Sequence, residues 1–118
     1  MKKLKNFNTN EILLSYLETL LWADGNLDDY AILDISIDSF EKSLTDILNF
    51  IKEIEKSNEA IKEANTYTEQ MLGHNFLLSR NHHGAGFFDD YNDLLQSISG
   101  LFKEVNAYVG DDKLIYID

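Results

Sequence analysis

A chain of 118 residues with 44% apolar and 12% aromatic side chains can bury one core, and is expected to form a single domain, 1–118, of α+β class. It has no cysteine, which excludes disulfides and thiolate metal sites, and no apolar run long enough for a membrane-spanning helix. Twenty-one acids against ten bases give a formal net charge of −11, a field that repels phosphate and argues against direct DNA or RNA binding.

Residues 1–7 read as a flexible basic arm, Met1-Lys2-Lys3-Leu4-Lys5 lacking the apolar segment that would complete a signal peptide. Asn8 and Glu11 form a capping pair for a first helix, 8–23. Ile12, Leu13, Tyr16, Leu17, Leu20 and Leu21 recur there at helical spacing, and Leu14 and Trp22 widen the face. A face this wide predicts a central helix, with Trp22 and the tyrosines serving as packing.

Asp24-Gly25-Asn26 stops that helix. From 24 to 41 the chain carries Asp24, Asp28, Asp29, Asp34, Asp38 and Glu41 without a base, interleaved with Leu27, Ile32, Leu33 and Ile35. This predicts a loop or short irregular helix tied down by its hydrophobes. Asp24-x-Asn26-x-Asp28 opens like a calcium loop, but Asp29 stands at the required glycine and Ile35 at the closing glutamate, so no metal site is expected.

Phe40, Leu44, Ile47, Ile51, Ile54, Asn58 and Ile61 step by four and three, predicting one long amphipathic helix over 38–65 with Ser36 or Asp38 at its start. Its Lys/Glu outer face reads as solvated surface. The stripe is also one that would pair with a second copy, so a homodimer stays open. From Gly73 the period changes, and 74–117 reads as strand, turn, helix and hairpin. His74–Arg80 is predicted as a strand, Asn81–Gly86 as a turn, and Phe87-Phe88 as a short extended piece. A third helix follows, capped by Asp90 or Asn92, and Gly110-Asp111-Asp112-Lys113 turns a hairpin between 107–109 and 114–117. The expected architecture is a long amphipathic helix and two further helices packed on a small antiparallel sheet of three or four short strands.

The densest polar cluster runs from Ser79 to Asp90 and holds the chain's one arginine, Arg80. With His74 it supplies a candidate binding patch of His74, Arg80, Asn81, His83, Gly84, Gly86, Asp89 and Asp90. Imidazole and carboxylate suit metal binding or proton transfer, and an arginine beside a glycine turn suits a phosphate. Against this, adjacent His82 and His83 project to opposite sides if extended, and no zinc-protease, nucleophile-elbow or P-loop spacing occurs. No catalytic residue and no cofactor is therefore assigned. The same residues also read as a structural turn between strands, in which Arg80 would pair with Asp89 or Asp90.

Three stretches carry a resemblance. Tyr16-Leu17-Glu18-Thr19-Leu20-Leu21-Trp22, the block Gly73 to Asp89, and Tyr108-Val109-Gly110-Asp111-Asp112-Lys113-Leu114-Ile115-Tyr116 are similar, in order, to segments of small acidic bacteriophage and prophage proteins of unassigned function. Arg80, Asn81, His83, Gly84, Gly86 and Asp89 fit the pattern, whereas Asn75, Leu77, Ser79, His82 and Phe88 depart from it. The resemblance implies a viral origin and a setting in the host cytoplasm, and brings no catalytic assignment. Charge and resemblance together suggest an accessory protein that inhibits a host protein with a basic cleft, such as a CRISPR–Cas or restriction nuclease. Its acidic interaction surface would be Asp24, Asp28, Asp29, Asp34, Asp38, Glu41 and Asp93. The alternatives are a small metal- or nucleotide-binding enzyme using His74, Arg80, His83 and Asp89, and a structural phage component.

Overall fold

The computed structural model describes residues 7–23 and 25–118, so most of the anticipated basic arm and Asp24 lie outside the described residues. The elements are α1 (Thr9–Ala23), a 3-10 turn (Ile32–Asp34), α2 (Ile37–Ile54), α3 (Asn58–Ala64), α4 (Glu69–Arg80), α5 (Asp93–Ser99), β1 (Ala107–Val109) and β2 (Ile115–Ile117). The chain is mixed α+β with a helical majority.

The first helix matches its apolar period: Ile12, Leu13, Tyr16, Leu17, Leu20 and Leu21 are all buried. Its entry is only half as expected. Asn8 accepts the Asn10 N–H, but the carboxylate that takes the Asn8 N–H is Glu69 of α4, at 2.6 Å, rather than Glu11. Glu11 accepts instead from the Gln70 side chain. The cap is thus shared between α1 and α4, the pair at the centre of the molecule. Gly73 lets them approach, because a Cβ there would stand 2.2 Å from the Ile12 carbonyl oxygen.

Two expectations fail here for identifiable reasons. The helix anticipated over 38–65 is two helices, broken at Glu55–Ser57. Ser57 is an N-cap, its hydroxyl accepting the Ala60 N–H at 3.2 Å, and Asn58 turns out to solvent instead of continuing the stripe. At the other end Ser36, not Asp38, caps α2 through the Ser39 N–H. The strand anticipated at His74–Arg80 is the last half of α4, started by Thr68, whose hydroxyl accepts the Met71 N–H. Residues 75–80 are buried without interruption, so this helix is apolar or enclosed nearly all round and shows no amphipathic period.

The sheet accordingly has two strands and not three or four: β1 and β2 pair antiparallel with Tyr108 opposite Tyr116, and Phe87-Phe88 is not extended. It is sewn to the start of α2. Ile35 bridges Ile115, the Ser36 N–H donates to the Ile115 carbonyl at 2.9 Å, and the Ile117 N–H donates to the Ser39 hydroxyl at 2.9 Å. Between the helices the core is aromatic. Phe50 stacks on Phe76 with centroids 4.0 Å apart, and Phe87 and Phe102 close around them. Among the described residues no helix is long and apolar enough to cross a membrane.

Candidate functional site

The anticipated binding patch divides into structural and exposed residues. Arg80 belongs to the first group. At 4% exposure its guanidinium points into the molecule, not toward Asp89 or Asp90. Nη1 donates to Asp46 Oδ2 at 2.8 Å and to the Tyr16 hydroxyl at 3.0 Å, while Nε and Nη2 donate to the Lys103 carbonyl at 2.8 and 2.6 Å. The cation also lies 5.4 Å from the Phe76 ring centre and 5.6 Å from that of Phe102. One side chain therefore ties α1, α2, α4 and the segment leading to β1. Burial pushes the Tyr16 hydroxyl up to about 12, against the opposing pull of Arg80.

The turn that follows is built from the same structural logic. Asn81 pairs its amide with both backbone groups of Val105, at 3.2 and 2.9 Å, imitating one rung of a sheet. Gly86, at φ +72°, packs so closely on α4 that a Cβ would lie 2.7 Å from the Asn75 carbonyl and the Ser79 hydroxyl. Ser79 in turn receives the Phe87 N–H at 3.0 Å. Asp90 accepts from the Tyr67 hydroxyl at 2.9 Å and from Asn75 at 3.2 Å. Burial first, then that bond to Asp90, pushes Tyr67 up to about 12.

What remains accessible is dispersed. His83, Gly84 and Asp89 are exposed. His83 lines a depression with Leu20, Ala23 and Asn106, whereas His74 Nδ1 lies 3.0 Å from the Thr19 hydroxyl and its ring sits beside Trp22. His74, Arg80 and His83 thus face different partners and do not converge as the enzyme reading requires.

The acidic segment fares differently. Asp28, Asp29, Asp38 and Glu41 are exposed, and none of the three ion pairs among the described residues uses a carboxylate of this segment. Asp34 is half-buried and accepts the Ala31 N–H at 2.9 Å, closing the 3-10 turn. Asp93 belongs to another surface, where α3 and the start of α5 bring Glu59, Lys62 and Glu63 beside it.

No family model, curated protein or solved structure matches the chain. The site is consequently defined by its own geometry.

One feature escaped the sequence reading. Trp22, anticipated as packing, is 67% exposed and forms the wall of an open groove of about 580 Å³ with Leu21, Tyr30, Ile32 and Leu33. Glu18 and Asp28 line the same groove. The available signal was positional. Trp22 falls at the edge of an apolar face already filled by Leu20 and Leu21, two residues before the chain breaks into acids and turn formers.

Proposed function

We propose that this chain is a non-enzymatic binding protein that occupies a cationic cleft on a partner protein, and that it acts as a phage accessory inhibitor of a host nucleic-acid-binding nuclease. The observation that carries this reading is the unneutralised acidic segment. Residues 6–41 contain no lysine, arginine or histidine, and Asp28, Asp29, Asp38 and Glu41 reach solvent from it with no ion-paired partner among the described residues. Carboxylates so placed attract a Lys/Arg-lined channel and compete with phosphate for it. The buried anchoring of Arg80 and the separation of His74 from His83 favour binding over catalysis.

The test compares the intact protein with a variant carrying Asp28→Asn, Asp29→Asn, Asp38→Asn and Glu41→Gln, each immobilised and exposed to bacterial lysate. The native protein is expected to retain a basic nucleic-acid-binding protein stoichiometrically, and duplex DNA or raised salt should displace it. The neutralised variant should not retain it. Equal retention by both proteins, or none by either, overturns the proposal.

A further inference from the structure

We infer that the groove between the last turn of α1 and the 3-10 turn is a docking site for a protein segment in which a large apolar side chain is flanked by lysine or arginine. This rests on the reading just given and specifies where, and by what chemistry, the partner is held.

Three observations converge on the groove. Leu33 is 94% exposed, yet it does not hang from a loose loop. The turn that carries it is closed by the Asp34 N–H to the Ala31 carbonyl, the Ile35 N–H to the Ile32 carbonyl, and the Asp34 carboxylate on the Ala31 N–H. Leu33 is thereby held out in solvent, and a partner that covers it has little ordering to impose. Across the groove stands Trp22, the chain's one tryptophan, at 67% exposure. Tryptophan is among the side chains most enriched at binding anchors, and its ring face also attracts a cation.

The second element is sign. The charged side chains lining the groove are Glu18 and Asp28, both carboxylates. Asp29 follows Asp28 and Asp34 follows Leu33 in sequence, the lysines nearest along the chain are Lys5 and Lys42, and the His74 ring lies beside Trp22. An apolar groove by itself accepts any apolar group. This one rejects acidic flanks and favours basic ones, since unlike charges meet at its rim. The third element is reach. The residues lining the groove supply none of the hydrogen bonds that anchor Arg80, so a ligand can reach it without displacing that network.

Trp22 reports on its own occupancy. The probe is the tryptophan-free peptide Lys-Lys-Leu-Leu-Lys-Lys, titrated into the full chain at low ionic strength while indole emission is followed. Saturable binding with a blue shift is expected. The Lys-Lys-Ser-Ser-Lys-Lys peptide should bind about tenfold more weakly and without the shift, and Glu-Glu-Leu-Leu-Glu-Glu should not bind. Leu33→Ser, and separately Glu18→Gln with Asp28→Asn, should each weaken the first peptide about tenfold. All three positions are exposed, and circular dichroism checks that the variants fold. If both basic peptides bind equally, without a blue shift and unaffected by Leu33→Ser, the groove assignment falls while the acidic-surface reading stands. If neither basic peptide binds, both fall.

Discussion

Replacing Arg80 or Asp46 tests whether the buried guanidinium holds the fold together. Arg80→Met keeps much of the side-chain volume but strips two donors from the Lys103 carbonyl and one from the Tyr16 hydroxyl. Each polar group left buried without a partner costs about 1–3 kcal/mol, and lost contact with two aromatic rings adds about 0.5–1 kcal/mol apiece. Asp46 keeps 22% of its side-chain surface and can rehydrate, so the sum is set at about 3–5 kcal/mol. Asp46→Leu does the converse, stranding a cation that is 4% exposed, also at about 3–5 kcal/mol. In the double variant no charge is stranded. Its loss should therefore fall short of the sum of the single losses by about 3 kcal/mol. Urea unfolding followed by far-ultraviolet circular dichroism measures all four proteins, and each single variant should melt roughly 10–20 °C below the native chain. Strict additivity, or a cost below about 1 kcal/mol for Arg80→Met, refutes the reasoning.

Glycine substitutions separate close packing from backbone sign. Gly73→Ala should prevent α1 and α4 from meeting and lower the melting temperature sharply. Gly84→Ala meets open space at φ +69° and should cost only about 1–2 kcal/mol by the same melting experiment. Ser57→Ala removes the cap of α3 and should cost about 1 kcal/mol in urea unfolding. Tyr16 and Tyr67, both pushed up to about 12, should ionise in native protein well after an ordinary tyrosine, as ultraviolet titration will detect. The sign follows from linkage. The unfolded chain releases these protons near 10, so their contribution is intact below pH 10 and is lost as pH climbs toward 12. For Tyr16 the loss is about 3 kcal/mol. Stability that stays flat across that interval would count against the burial of Tyr16.

How far the sequence could be read depended on whether each element had two distinguishable sides. α1, the start of α2, the cap of α5 and the hairpin were legible because apolar spacing, a capping side chain or a turn tetrad marks each. α4 was not. Gly73, Asn75, Ser79 and Arg80 are buried along with its leucines, so neither a period of 3.6 nor the polarity of individual residues distinguished it from a strand. Arg80 stands out in the sequence as the chain's one arginine, but its partner Asp46 lies 34 residues away on α2, with nothing local to betray the pairing. The acidic segment was legible as composition. Its groove was not, because the exposure of Trp22 and Leu33 depends on how the 3-10 turn is folded back beside α1.

The pairing of α1 with α4 also sets a timetable for synthesis. At about 5–20 residues per second, the 45 residues between them, 24–68, keep the ribosome busy for about 2–9 s. Throughout that interval the leucine-rich face of α1 has emerged without the surface it will be buried against. A message truncated after α3 would release that face permanently uncovered, and the fragment should aggregate or be degraded instead of persisting as a smaller folded unit.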